Sequence, residues 1–230
     1  MPAIVQKLRG VVHELGATAA FLYLADRALQ PLGMGIYPYV LVAQPIPAEP
    51  LLPARRGQSI AVRAVSNDDP VLFQMPLDER VIKYREGQRA QCLGAFEGER
   101  MIGCIWLCLG PYDEDEIRCR YVPAPAGRTS FDFDFYIVPE RRIGFAFARL
   151  WDEANRHLRE HGVRYTMSRI TRTNRQSLVS HTRLGARKIG SAIFFRFGPV
   201  QLMTATLAPY LYLSLGRGSR PELVLNAPGD

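Results

Sequence analysis

Several signatures of common functional classes are absent from this 230-residue sequence. None of the four cysteines lies in a CxxC pair, and neither a GxGxxG dinucleotide fingerprint nor a GKS/GKT Walker loop occurs. The N-terminus lacks the basic start and long apolar core of a signal peptide, and no internal repeat is visible. These absences favour buried free thiols in a reducing compartment, a cytoplasmic location and no metal site.

The composition is that of an ordinary globular protein. Hydrophobic residues make up 47% of the chain and charged residues 22%. A chain of this length fits one large α/β domain, or one domain with an extension, and can bury about 70% of its unfolded surface. The net charge of +7 suits an anionic partner: nucleic acid, an acidic membrane surface or a phosphate-rich cofactor.

The most regular pattern of the chain begins at residue 91. Strand patterns and helical spacing follow one another there, and a strand–helix–strand unit joined to antiparallel strands implies a mixed sheet. The predicted elements are a hairpin over 91–96 and 101–109, strands over 117–122, 130–138, 164–170 and 186–197, and helices over 144–161 and 174–184. Residues 91–197 therefore form the predicted core unit.

The N-terminal segment, residues 1–90, is less regular and is expected to complete or extend the fold. Helical spacing predicts two helices before residue 30. Residues 36–46 have a strand composition, but Pro38 and Pro45 predict an edge strand or an irregular segment.

The C-terminal segment, residues 198–230, begins with an apolar stretch and is expected to end in a flexible tail. The uncharged part, 198–216, is close to the length that spans a membrane, but Pro199 and Pro209 argue against a spanning helix. We expect a strand with a packing segment, or a contact in a homodimer. Peripheral membrane association through this stretch is the alternative.

A predicted strand-to-helix junction at residues 138–146 has the features of a phosphate-binding site. A helix N-terminus offers free N–H groups and the positive end of a dipole, which favour an anion. Glycine and alanine at positions 144 and 146 let a phosphate approach the backbone, and two arginines add positive charge. The alternative is a tight turn with exposed arginines. The predicted cofactor-binding residues of this loop are Val138, Arg141, Arg142, Ile143, Gly144, Phe145 and Ala146.

Two motifs carry a family resemblance. The spacing Arg141-x-x-Gly144-x-Ala146 resembles the Q/R-x-x-G-x-G/A signature of the GNAT superfamily of N-acetyltransferases. A second segment, residues 174–185, is similar to that family's N-x-x-S/A-x-x-x-Y-x-x-L-G-F pattern. It departs from the pattern because His181 stands where tyrosine is common and alanine follows the glycine. The resemblance covers residues 90–197.

The resemblance implies a GNAT-like α/β (α+β) fold, in which helices flank a mixed, mostly antiparallel sheet with a splayed central strand. It implies acetyl-CoA, or another acyl-CoA, as co-substrate, bound by the loop above and by Asn174 and Ser177 of the second motif. The implied reaction is acetyl transfer to a primary amine of a small molecule or peptide, by direct attack in a ternary complex. A backbone N–H from the second half of the 130–138 strand then holds the thioester carbonyl.

Two aspartates are unusual on the predicted strand over 130–138, because aspartate is depleted in strands. Strict alternation places Asp132, Asp134 and Tyr136 on one face and three phenylalanines on the other, which is the core face. The carboxylates can bind a cationic amine, or one can act as the base, and a solvated face is the alternative. Asp134 is the stronger candidate because it lies nearer the cofactor loop.

His181 is the third predicted catalytic residue. The ordinary pKa of histidine lies near neutrality, so His181 can protonate the departing thiolate or act as a base, unless it is a plain surface histidine. Basic residues concentrate around the second motif: Arg169, Arg172, Arg175, Arg183, Arg187 and Lys188. They form a solvated face, surround the CoA phosphates or contact nucleic acid. Nucleic acid is not expected, because no nucleic-acid-binding motif is recognisable.

Three functions remain open within the resemblance. The first is N-acetyl transfer to an amine. The second is transfer of a longer acyl chain, as in N-acyl amino acid synthases, since the apolar content outside the motifs can line an acyl tunnel. The third is a non-catalytic acyl-CoA-binding module, because the usual tyrosine is missing.

Overall fold

The computed structural model describes residues 24, 25, 27, 29, 34–216 and 218–229. The first predicted helix lies outside these residues. Of the second predicted N-terminal helix, Leu24, Ala25, Arg27 and Leu29 are described, and they are helical.

The strands and helices follow the predicted order from residue 91 onward. The strands are β1 Met34–Pro45, β2 Ala61–Val65, β3 Gln91–Glu97, β4 Arg100–Cys108, β5 Tyr112–Asp113, β6 Arg120–Ala124, β7 Thr129–Ile137, β8 Tyr165–Thr171, β9 Arg187–Phe197, β10 Val200–Ala205, β11 Leu211–Ser214 and β12 Glu222–Asn226. The helices are α1 Glu79–Gly87, α2 Ala146–Glu160 and α3 Arg175–Arg183, with short 3-10 turns at Pro70–Gln74 and Pro139–Arg141.

The sheet confirms the predicted mixed, mostly antiparallel architecture flanked by helices. Nine strands form one sheet in the order β11-β10-β9-β1-β8-β7-β4-β3-β2. Every neighbouring pair in it is antiparallel except β7 and β8. A smaller sheet, β12-β6-β5, packs on the core of the large sheet, where Tyr121 stacks on Phe131. Because parallel neighbours need a long crossover, α2 occupies the connection between β7 and β8.

Local sequence explains where α2 and α3 begin and end. The apolar face of α2 carries Leu150, Trp151, Ala154 and Leu158, which pack into the apolar layer over β3 and β4. Gly162 follows the helix with φ 74°, the left-handed conformation that ends helices at low cost. For α3, the side chain of the preceding asparagine caps the first turn.

The predicted splayed central strand is β7, which separates from β8 part-way along its length. The two strands pair only over residues 129–131 and 165–167. On its other edge β7 stays paired with β4, but Cys104 lies opposite Tyr136 while Trp106 lies opposite Phe133. This register shift places one extra residue in β7, a β-bulge. Asp134, inside the bulge, has φ 49°, a left-handed conformation that aspartate tolerates better than most residues.

The bulge makes the predicted strict alternation of β7 wrong. Phe131 and Phe133 pack in the large core on one side of the sheet, but Phe135 stacks on Trp151 beneath α2, on the opposite side. Asp132 and Asp134 therefore lie on opposite faces of the sheet rather than on one. A single inserted residue reverses the side of every later side chain, because the side-chain period of a strand is two.

The prediction that 36–46 is an edge or irregular segment is also wrong. β1 is a central strand, paired with β8 on one edge and β9 on the other. Pro38 fits there because it lies one residue beyond the last β1–β8 pair, Tyr39 with Thr171. Its carbonyl accepts from the N–H of Arg172 at 2.8 Å, so the missing proline N–H falls where the ladder ends.

The C-terminal segment contains three strands. Residues 222–226 were expected to belong to a flexible tail but form the strand β12. β10 and β11 extend the large sheet, while β12 pairs with β6 and buries Leu223 and Leu225. Large apolar side chains remain exposed on and beside the edge strand β11: Tyr210, Leu211, Leu213 and Leu215. Within the described part of the chain, no helix has the length and apolar character needed to cross a membrane.

Burial of β12 yields a stability prediction. Leu225→Ala should lower the free energy of unfolding by about 2–5 kcal/mol, because it deletes fully buried methyl groups and leaves a cavity. Urea unfolding measures this change. Val224→Ala, at an exposed position of the same strand, is the matched control and should cost less than about 0.5 kcal/mol. Equal effects of the two changes would show that β12 does not pack as described.

Candidate functional site

A basic cleft opens between the second half of β7, the start of α2 and the helix α3. Its volume is about 890 Å³. Among the described residues that line it none is acidic, while Arg142, Arg175 and Arg183 are basic. Its aromatic wall is formed by Phe135, Tyr136, Phe147 and Trp151. The cleft thus combines positive charge with an apolar wall, which suits a ligand with an anionic part and an apolar or neutral part.

Backbone N–H groups without acceptors line the junction before α2. From Ile143 to Ala148, none of the six amides donates to an acceptor within the described chain, and α2 has no side-chain cap. Gly144 has φ 139° and no atom of the described residues within 4 Å of the place a Cβ would take. Free amides at the positive end of a fifteen-residue helix form an anion-binding geometry.

Not every predicted residue of the loop is free to bind a ligand. Val138 donates its N–H to the carbonyl of Ile102 at 3.0 Å, so this amide is already used by the sheet. The guanidinium of Arg141 forms a two-pronged ion pair with Glu97, with Nε 2.9 Å from both carboxylate oxygens. The charge that Arg141 was expected to add is therefore largely neutralised.

Arg142 and the residues after it are better placed. Arg142 lines the cleft and donates from Nε to the carbonyl of Ile137 at 3.1 Å, which holds its guanidinium beside the loop. Ile143 is 97% exposed, and Phe145 is partly exposed at the N-cap of α2. Ala146 is buried, so its methyl group packs inward while its N–H remains without an acceptor in the described chain.

The second motif reaches the same cleft from α3. Asn174 caps the helix, because its Oδ1 accepts from the N–H of Ser177 at 3.0 Å. Both residues line the cleft, as does His181 one turn further along the helix face. The structure therefore brings the two sequence motifs together, with the loop on one side and α3 on the other.

His181 is a buried histidine rather than a surface one. It is 7% exposed, and its ring packs edge-on against Trp151. Its Nδ1 lies 3.0 Å from Oε1 of Gln44, and a hydrogen bond donated by Nδ1–H to this oxygen would leave the lone pair of the neutral ring on Nε2. Burial lowers the pKa of His181, and the nearby carboxylate of Asp132 opposes that shift.

Asp132 lies beneath the helices in a buried polar cluster and lines neither cavity. Its carboxylate accepts from the hydroxyls of Thr166 at 2.7 Å and Ser168 at 2.8 Å. Burial raises the pKa of Asp132, while His181 and these two hydroxyls oppose the rise. Direct contact with an acceptor amine is thus not the role that its position supports.

Asp134 lies on the other face of the sheet and lines a second cavity, of about 420 Å³. Its Oδ2 forms an ion pair with Nη1 of Arg85 at 2.8 Å. The remaining residues that line this cavity are Glu114, Asp115, Glu116, Phe133, Arg169 and Thr171. Neither Arg85 nor Gln44 had a sequence signal, because each reaches its site through tertiary contacts alone.

Comparison with known proteins gives similarity of fold. No family model matches the sequence, and no curated protein matches it. A functionally unknown conserved protein from Staphylococcus epidermidis is 13% identical, with a TM-score of 0.50 over 74% of this chain and 64% of that one. A Drosophila protein is 15% identical, with a TM-score of 0.50 over 77% and 57%. A Novosphingobium aromaticivorans protein assigned to the GNAT acetyltransferases is 14% identical, with a TM-score of 0.49 over 69% and 62%.

The architecture that the resemblance implied, a mixed and mostly antiparallel sheet with a splayed central strand, is confirmed by the strand order and by the parting of β7 from β8. The chain spans less than two thirds of the length of each of these three structures. At 13–15% identity these structures show similarity of fold alone, and they do not assign an activity or a substrate to this chain.

The environment of His181 predicts its protonation state. We expect a neutral ring at pH 7 with the proton on Nδ1, because burial lowers the pKa below the ordinary 6.5 and Gln44 accepts from Nδ1. Nitrogen NMR of the ring between about pH 5 and 8 reports both properties. Gln44→Met, which removes the acceptor, should weaken the tautomer preference, whereas Gln58→Met on the surface should not. A titration midpoint above 7 would contradict the prediction.

Proposed function

We propose that the protein is an acyl-CoA-dependent N-acyltransferase, which transfers an acetyl group from acetyl-CoA to a primary amine by direct attack in a ternary complex. The observation that carries the proposal is the run of six amides, Ile143 to Ala148, without an acceptor in the described chain. They lie beside a cleft whose charged lining is entirely basic. A pyrophosphate supplies the acceptors that such a run requires.

The rest of the cleft fits the remainder of coenzyme A. Arg142 adds positive charge near the start of α2, where the pyrophosphate would lie, and Arg183 adds positive charge to the cleft lining from the end of α3. Beyond Phe131, the edge of β7 that faces β8 has no strand paired with it in the described chain, so extended polar groups of a ligand can form hydrogen bonds with it. Phe135 and Trp151 form an apolar wall toward His181.

The chemistry needs a neutral amine, a stabilised oxyanion and a leaving thiolate. The amine nitrogen attacks the thioester carbon and loses a proton, the carbon–sulfur bond breaks, and the thiolate takes up a proton. The open backbone edge of β7 is the expected source of an N–H for the oxyanion. His181 lines the cleft at the second motif and is the proposed donor of a proton to sulfur: Nε2 of its neutral ring takes the proton that the attacking nitrogen loses and passes it to the thiolate.

The phosphate loop gives the first test. Gly144→Val should weaken CoA affinity at least about tenfold, because the side chain enters the space where a phosphate meets the backbone and strains a residue at φ 139°. Calorimetric titration with CoA measures the affinity of the folded variant.

Gly127→Val is the matched control for backbone strain. Gly127 also has a positive φ, 75°, and open space around the place of a Cβ within the described structure, but it lies in the β6–β7 loop. Gly127→Val should leave the CoA affinity unchanged. If Gly144→Val also leaves it unchanged, the loop at 138–146 does not bind the phosphates of CoA.

His181 gives the second test. His181→Phe should lower kcat about 100-fold or more while CoA affinity changes little, because the ring's bulk stays and the proton donor is lost. His181→Tyr should retain part of the activity, since tyrosine donates from the position it holds in the family pattern. His161→Phe, at an exposed position after α2, is the control. Wild-type turnover by His181→Phe would exclude His181 as the acid.

Two related functions are outcomes of the same assays. A preference for long-chain over acetyl thioesters would assign the protein to the longer-chain acyltransferases. Tight CoA binding without turnover on any primary amine would assign it to non-catalytic acyl-CoA-binding modules. Neither has a specific structural observation in its favour beyond the cleft that all three functions share.

A further inference from the structure

The second cavity lies across the sheet from the basic cleft. Phe133 and Asp134 of β7 and Arg169 and Thr171 of β8 line it, while the basic cleft takes Phe135 and Tyr136 from the same β7. The two cavities therefore meet the strands where β7 and β8 have separated. A molecule in the second cavity approaches the opening between the strands from the side opposite to the cleft.

Charge distinguishes this cavity from the basic cleft. Four carboxylates, from Glu114, Asp115, Glu116 and Asp134, face two guanidiniums, which leaves an excess of two formal negative charges. The guanidiniums are committed: Arg169 holds Glu114 through two contacts of 2.8 Å, and Arg85 holds Asp134. The carboxylates of Asp115 and Glu116 have the weakest ion pairs, at 3.9 Å and 3.6 Å from the nearest guanidinium nitrogens, and Glu116 also accepts a hydrogen bond from the hydroxyl of Tyr39.

Arg85 provides an observation that is independent of the carboxylates. Its side chain is only 6% exposed, and it lies over the rings of Trp106 and Phe133. The guanidinium lines the cavity, and although Nη1 lies 2.8 Å from Asp134, neither Nη1 nor the buried Nε makes a hydrogen bond in the described chain. A buried donor left unpaired is costly, so a neutral acceptor atom on a molecule in the cavity fits this position.

We propose that this cavity binds the acceptor substrate as a small cationic amine, with the ammonium group between Asp115 and Glu116 and a neutral oxygen of the same molecule on Arg85. The proposal rests on the proposed acyl transfer and narrows its substrate class. Amino acids with a free carboxylate are disfavoured, because the cavity already has two negative charges in excess.

Asp115 is the proton acceptor that this placement assigns. The ammonium gives its proton to the Asp115 carboxylate, and the neutral nitrogen then forms the carbon–nitrogen bond as the carbon–sulfur bond breaks. The second proton that the nitrogen loses passes to the departing thiolate. Burial and the adjacent Glu114 raise the pKa of Asp115 to about 6, which suits a base at neutral pH. The charged groups that line the cavity around it are Arg85 from α1, Asp134 from β7, Arg169 from β8, and Glu114 and Glu116 from its own segment.

Four probes of equal chain length test the ligand class: butylamine, 4-amino-1-butanol, 4-aminobutyrate and 1,4-butanediol. Calorimetric titration of each, with and without CoA, measures affinity without relying on turnover. We expect 4-amino-1-butanol to bind tightest and butylamine next, with the zwitterion and the diol at least about tenfold weaker. Binding of 4-aminobutyrate or the diol as tightly as the amines would overturn the proposal, as would a lack of amine binding in both conditions.

Conservative variants locate the site. Glu116→Gln and Asp115→Asn should each weaken amine binding about tenfold and leave CoA affinity unchanged. Glu49→Gln, an exposed carboxylate in the β1–β2 loop, is the matched control and should change neither affinity. Unchanged amine affinity in both cavity variants would place the acceptor elsewhere.

The pH profile tests the assigned base, and the two proposals fail differently. In the wild type, kcat/KM should fall as the pH drops below about 6, because Asp115 becomes protonated, and Asp115→Asn should have a low and flat profile there. A persisting limb in Asp115→Asn would exclude Asp115 as the base. Absence of CoA binding would overturn the proposed function, whereas CoA binding without selective amine binding would overturn only the cavity assignment.

Discussion

The separation of β7 from β8 is the constraint on which the rest of the site depends. The strands pair for three residues and then part, while β4 continues to hold the other edge of β7 through the bulge. Where the two strands part, the backbone edge of β7 that faces β8 has no neighbouring strand. That edge lies between the two cavities, so one irregularity leaves polar backbone groups unpaired beside both of them.

The bulge at Asp134 divides the functions of the two faces. Without it, Asp132 and Asp134 would share a face, and Phe135 could not stack on Trp151 beneath α2. With it, Asp134 joins Arg85 on one side while Phe135 completes the aromatic wall of the cleft on the other. The cleft is basic and the second cavity is acidic, so an anionic and a cationic molecule are each attracted to a different side of the sheet.

Sequence patterns predicted the elements whose periodicity is regular, and failed where tertiary contacts decide. The spacing around Leu150 and Leu158 predicted α2, and the two motifs predicted which helix ends face one cleft. The bulge left no signal, because aspartate is compatible with both an extended and a left-handed backbone. Pro38 made β1 resemble an edge strand, because proline has no N–H to donate to a neighbour. The sequence does not show that the β1–β8 ladder ends one residue before Pro38, where no donor is needed.

The buried polar cluster beneath the helices has a cost in stability. Ser130, Thr166 and Gln44 occupy one row across three neighbouring strands, where apolar residues would pack without any hydrogen-bond requirement. Gln44 Nε2 and Ser130 Oγ have no hydrogen-bond partner in the described chain, which costs free energy at each atom. The row lies on the face that Asp132 and His181 share, whereas the neighbouring β3 and β4 present apolar side chains to α2. The free-energy cost of these unpaired atoms is confined to the strands beside the separation of β7 from β8. This location is expected if the polar row orients the ring of His181, because a packed apolar layer offers no hydrogen bond to fix the tautomer of that ring.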